Sequence, residues 1–235
     1  MKARRPRLVA AGPWLVLLLG LASATLADDP RRRAAPLEPA DSAVTGARPV
    51  FAVLYEGLSG PELRRARFRI VLSADGFRSS AYTFDQRARA SGWVPGEPGR
   101  VHFRPRVPLA DGAYEWRAGL WNGHAWIDGG ETFRLRVDTV PPAPVEDLTL
   151  ERSTEGSVRL AWPPVVLDRA GSPEYVARYV VYRFEGRGPF RLARAFAAGS
   201  PLEPVWTDET PTGSPGLVLY QVSAVDEAGN TVSGR

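Results

Sequence analysis

The stretch LYQVSAVDEAGNTVSGR (residues 219–235) alternates Tyr220, Val222 and Ala224 with Gln221 and Ser223, then breaks at Asp226, Gly229 and Asn230. Period-two alternation marks a half-buried strand, and Asp, Gly and Asn favour a tight turn for steric reasons. The pattern occurs twice. Asp111-Gly112-Ala113-Tyr114-Glu115-Trp116-Arg117-Ala118 again sets a glycine turn before a tyrosine, with apolar or small residues at every second position after it. A repeated β unit therefore underlies the chain.

Short β-prone runs surround both stretches. In the first series they are 49–56, 67–75, 79–85, 100–107, 113–126 and 131–138. The second follows Val140-Pro141-Pro142-Ala143-Pro144, a stiff connector, and comprises 145–151, 157–164, 175–184, 190–196, 205–209 and the closing stretch. No helix-period segment stands out beyond the first 27 residues. Repeated short strands between turn signals predict two β-sandwiches.

The first 27 residues read as a secretory signal peptide. MKARRPR is a positive n-region, LVAAGPWLVLLLGLA an apolar h-region, and Ala22-Ser23-Ala24 or Thr25-Leu26-Ala27 a small-residue cleavage site. The apolar run falls short of the ~20 residues a bilayer core needs, so no stable membrane span is expected after cleavage. The formal charge of +4 belongs to this segment, which holds Lys2, Arg4, Arg5 and Arg7 and no acid; beyond it 26 basic and 26 acidic residues remain. That balance gives no reason to expect a nucleic-acid partner. Residues 28–47 are Pro-rich and poor in large apolar side chains, which predicts a flexible leader.

Over nearly all of 145–235 the chain resembles a fibronectin type III domain. Trp162 matches the family's second-strand tryptophan and Tyr182 falls on the third strand. Tyr220-x-Val222-x-Ala224-x-Asp226-x-x-Gly229-Asn230 matches the penultimate strand and its turn, as in bacterial secreted members. Residues 48–139 are similar but divergent, keeping Asp-Gly-x-Tyr-x-Trp-Arg and Phe133-x-Leu135-x-Val137-Asp138; Tyr55 is the candidate to stand in for the absent second-strand tryptophan. The resemblance implies two tandem immunoglobulin-like/fibronectin type III β-sandwiches and a role in binding, spacing or scaffolding. With the residue readings it gives an all-β chain of a cleaved signal peptide (1–27), a leader (28–47), sandwiches over 48–139 and 145–235 and a linker (140–144), expected to need no cofactor and to act on a protein partner of the cell envelope or an extracellular assembly.

Chemistry-bearing motifs are few. There is no cysteine, the histidines are His102 and His124, and no nucleophile elbow, phosphate loop or zinc-protease motif occurs. Asp226, Glu227 and Asn230 are oxygen donors suited to calcium, or simply turn formers. Asn122-Gly123 predicts a two-residue type I′ hairpin. That register sets Trp121 against His124, Leu120 against Ala125 and Gly119 against Trp126. With Tyr114, Trp116, Ala118 and Leu120 inward, Trp121, His124 and Trp126 share the outer face with Arg117. They form a candidate binding site for a peptide or, as the second candidate partner, a polysaccharide. The alternative is structural, with Trp126 covering Gly119. Only Thr231 to Arg235 follow the closing turn, so Thr231, Val232 and Ser233 form a candidate docking edge on a short last strand. Trp162, Tyr179, Tyr182 and Tyr220 are core candidates. The arginines at 64, 65, 67, 69, 134 and 136 are solvated faces.

Overall fold

A computed structural model describes residues 33–58, 60–86, 92–121, 125–186, 189–198, 204–210 and 217–232. Two β-sandwiches follow one another. In the first, one sheet has the order β1 (Arg33–Glu38), β3 (Phe51–Glu56), β7 (Arg100–Phe103), β6 (Trp93–Pro95). The facing sheet runs β2 (Ala43–Thr45), β10 (Phe133–Val137), β8 (Gly112–Trp121), β4 (Arg67–Ser73), β5 (Tyr82–Asp85), with β9 (Trp126–Asp128) also on β8. A single helical turn, α1 (Gly60–Leu63), precedes β4. No helix among the described residues is long and apolar enough to cross a membrane.

The expected inward stripe of β8 is observed: Tyr114, Trp116, Ala118 and Leu120 are buried. Trp116, fully enclosed, meets Phe51 edge-on with centroids 4.9 Å apart. Phe51, rather than Tyr55, thus fills the centre on the second-strand side; Tyr55 packs at the margin against Phe68. The Tyr114 hydroxyl donates to the Ala110 carbonyl at 3.0 Å, which fixes the chain as it enters β8.

The expectation of a flexible leader over 28–47 does not hold from Arg33 onward. β1 pairs antiparallel with β3, and β2 runs parallel to β10. Ala34 and Ala35 enter the core, and Asp41 accepts the Arg134 backbone N–H at 2.7 Å. Small alanines give a weak strand signal by themselves; the open edges of β3 and β10 recruit them. Gly129 is required here, because a Cβ would lie 1.8 Å from the Ala34 carbonyl oxygen. Gly129→Ala is expected to cost about 1–3 kcal/mol by forcing β1 off the hairpin, measurable as a lower urea midpoint of the first sandwich.

The second sandwich has one sheet of β11 (Thr149–Arg152), β12 (Val158–Ala161) and β15 (Val205–Asp208), and another of β14 (Arg191–Ala197), β13 (Val176–Glu185) and β16 (Val218–Asp226). Trp162 is buried against Tyr179 and Phe196, with centroids 5.4 and 6.1 Å away. Tyr179 belongs to this core as expected, while Tyr220 and Trp206 are partly buried and pack against it. Tyr182 does not: it alternates with the inward Tyr179 and Val181 and lies on the outer face.

The two sandwiches meet at a bonded joint. Asn230 Nδ2 donates to the Asp138 carbonyl of the first at 2.9 Å and to Asp226 Oδ2 at 2.8 Å. The linker is pinned in turn: Ala143 N–H donates to Leu167 O at 2.9 Å and Arg169 N–H to Pro141 O at 3.0 Å.

Candidate functional site

The hairpin of β8 and β9 pairs Trp121 with Trp126, Leu120 with Ile127 and Gly119 with Asp128. The expected register, with Gly119 against Trp126, is therefore corrected. Asn122, Gly123 and His124 lie outside the described residues. The observed register brings two indoles into direct cross-strand contact, 5.5 Å apart at 61°, and sets Asp128 between two arginines. Cross-strand contacts of this kind stabilise the observed register. The shift preserves which face each side chain takes, so Trp121, Trp126 and Arg117 do share the outer surface. Trp126 does not cover Gly119; Asp128 occupies that place.

β4 adds what the sequence reading left as solvated arginines. Arg69 sets its guanidinium 4.7 Å from the Trp126 ring centroid and bonds Asp128 at 3.2 Å. Arg117 lies 3.7 Å from the other Asp128 oxygen and 3.6 Å above the Phe77 ring. Phe77 is held at φ 64° by a turn in which its N–H bonds Ser73 Oγ. Hydrogen bonds from Ser79 and Ser73 pull the Asp75 carboxyl in that turn down to about 2. The result is a strip of Trp121, Trp126, Arg69, Asp128, Arg117 and Phe77, with Arg67 opposite Trp121. The sequence signal for it was present in arginines at every second position of a strand that neighbours β8. Cation–π contacts of this kind contribute roughly 0.5–1 kcal/mol each at exposed sites.

At the other candidate edge, Thr231 bridges Val225 and Val232 follows it; Ser233 lies outside the described residues. The Asp226 oxygens accept from Asn230 N and Nδ2, both at 2.8 Å, so this carboxylate closes a turn.

One buried polar cluster lies elsewhere. Asp208 is 3% exposed. It accepts from the Tyr220 hydroxyl at 2.7 Å and from Thr210 N–H at 2.9 Å, and Arg183 Nε lies 3.1 Å away but off hydrogen-bond alignment. A cleft of about 410 Å³ opens beside it, lined also by Trp206 and Arg191. Burial pushes Asp208 up, but the Tyr220 and Thr210 hydrogen bonds and the Arg183 charge outweigh it and leave the carboxyl lowered. Burial, then the bond to Asp208, pushes Tyr220 up to about 12. Near neutrality the one stays ionised and the other protonated, a locked pair suited to structure rather than proton transfer. Stability from Asp208 is present above the ordinary carboxylate range and lost as pH falls through its lowered value. Stability from Tyr220 is complete below the ordinary tyrosine value of about 10 and lost as pH rises through its raised one. Urea midpoints of the second sandwich should therefore fall at both pH extremes, and Asp208→Asn should flatten the acid limb.

No family model matches the chain, and no curated protein matches its sequence. Among solved structures, it is similar to the FN1–FN3 domains of chicken CNTN1, with TM-score 0.52, 11% identity, and 82% of this chain and 63% of that one covered. This is the fibronectin type III and immunoglobulin-like fold. The chain spans less than two thirds of that contactin fragment. Domains A168–A170 of titin align at TM-score 0.41 and 16% identity over 84% of this chain and 62% of that one. An endo-β-1,4-mannanase from Thermotoga petrophila aligns at TM-score 0.33 and 12% identity over 48% and 21%. Both scores are too low to bear on fold or function. The tandem fibronectin type III-like sandwiches match the expectation from the repeated tyrosine strands.

Proposed function

We propose that this chain is a non-enzymatic, exported binding and scaffold protein that positions or docks onto another component of the cell envelope or an extracellular assembly. The observation that carries this reading is the bonded joint: Asn230 reaches from the second sandwich to Asp138 of the first, and the linker is tied to residues 167–169. A fixed joint holds two surfaces at a defined separation, as a positioning protein needs. The signal-like first 27 residues support export to the periplasm or beyond. A photoreactive residue at Trp126 in one version and at Val232 in another tests the reading in the native organism. Capture of one protein species at either site supports it. No capture at either site, or turnover of any substrate, refutes it.

A second reading is a carbohydrate-binding accessory module, favoured by two tryptophans on one outer face. Against it, Arg69 covers one face of Trp126, and Trp121 meets Trp126 edge-on rather than side by side as a sugar platform. Retention on insoluble polysaccharide that is lost in Trp121→Ala/Trp126→Ala would favour this second reading.

A further inference from the structure

We infer that the cleft beside Asp208 in the second sandwich binds a sugar acid, with its carboxylate on Arg191 and Arg183 and its ring against Trp206. This goes beyond the proposed docking role and stands independently of it. It also lies in the other sandwich from the hairpin tryptophans.

The cross-strand charges point to the cleft. Where charged residues face each other across strands, the chain matches opposite signs. Arg33 opposes Glu56, Arg69 opposes Asp85, Arg134 opposes Glu115 and Glu151 opposes Arg159. Arg183 of β13 opposes Arg191 of β14, the one like-charged pair among the described strand pairings. Like charges directly opposite each other destabilise a sheet.

The two arginines are not compensated alike. Arg183 Nη2 donates to Glu185 Oε1, and its Nε lies 3.1 Å from Asp208. Both nearby acids are therefore spent on Arg183, whose side chain is only 13% exposed. Arg191 is exposed and has no ionic partner among the described residues. The four charges sum to zero, yet their placement leaves one guanidinium unmatched. A carboxylate that reaches Arg191 takes charge-assisted hydrogen bonds and relieves the like-charged pair.

The rest of the cleft selects among anions. Its volume of about 410 Å³ lies in the range of small-ligand sites, and Trp206 and Glu185 line it with the two arginines. An indole offers an apolar surface on which the C–H face of a sugar ring can pack. Glu185 is 56% exposed and can accept a sugar hydroxyl. Asp208 plays a different part: it accepts from Tyr220 and Thr210, and holds Arg183 in place from within the core. An inorganic anion engages the arginines and leaves Trp206 and Glu185 unused. A neutral sugar leaves Arg191 unmatched. A sugar acid uses all of these groups at once.

Two-dimensional 15N NMR of the purified chain, titrated with sodium glucuronate at constant ionic strength, tests this through the Trp206 indole N–H. The expected result is a saturable shift whose midpoint rises at least about tenfold in Arg191→Ala, through loss of the charge-assisted bonds. Near-UV circular dichroism from the buried Trp162 should be unchanged in that variant, separating lost binding from lost fold. Arg194→Ala, exposed on the same strand but outside the cleft, should bind as the unaltered chain does. Glucose and sodium sulfate should each bind at least about tenfold more weakly than glucuronate. No saturable shift with glucuronate, an Arg191→Ala variant that binds as tightly, an equal loss in Arg194→Ala, or glucose or sulfate binding as tightly would each overturn the inference. None of these outcomes depends on capture at Trp126 or Val232, so the two proposals fail separately.

Discussion

Ala34→Asp unfolds the first sandwich while leaving the second intact. Ala34 is fully buried in the core of the first sandwich, with its carbonyl against Gly129. A carboxylate there has no cationic partner in the surrounding apolar cluster, and an unpaired buried charge costs several kcal/mol. That is a large share of the roughly 5–15 kcal/mol that holds a domain together. Thermal unfolding followed by tryptophan fluorescence should show the first-domain transition lost and the second retained. Ala40→Asp, at an exposed position just beyond β1, should change little. If residues 33–45 were a solvated leader, the two variants would behave alike.

Trp162→Ala produces the complementary result. Its indole fills the centre of the second core between Tyr179 and Phe196. Truncating a buried tryptophan costs about 3–5 kcal/mol. For a domain of this size that is a fall in midpoint temperature of about 12 °C or more. The first sandwich, which shares no core contact with Trp162, should melt where it did before. Differential scanning calorimetry resolves the two transitions. A shift of both together would mean that the sandwiches share one cooperative core.

These two positions show what the sequence could and could not reveal. Trp162 and Tyr220 were legible because a large aromatic in an alternating run has few places to go but inward. Ala34 was not, since alanine is equally at home in a leader and in a core. Its burial is decided by β3, a strand remote in sequence. Tyr182 shows a different limit. β13 carries bulky residues on both faces, Tyr179 and Val181 on one and Val180, Tyr182 and Phe184 on the other, and period-two alternation cannot say which face is inside. The hairpin site was half legible. The outer placement of Trp121, Trp126 and Arg117 followed from parity, which a two-residue shift of register leaves unchanged. The register itself was decided by the Trp121–Trp126 contact and by Asp128 meeting Arg69 and Arg117, side-chain partners that a turn motif does not encode.

The proposed positioning role depends on the joint more than on any surface. Backbone 15N relaxation measures it directly, by giving a rotational correlation time for each sandwich in the same molecule. The joint between Asn230 and Asp138 predicts one common correlation time, which splits into two shorter ones in Asn230→Ala. Two independent correlation times in the unaltered chain would mean that the sandwiches move freely, and would contradict a protein that holds its surfaces in register.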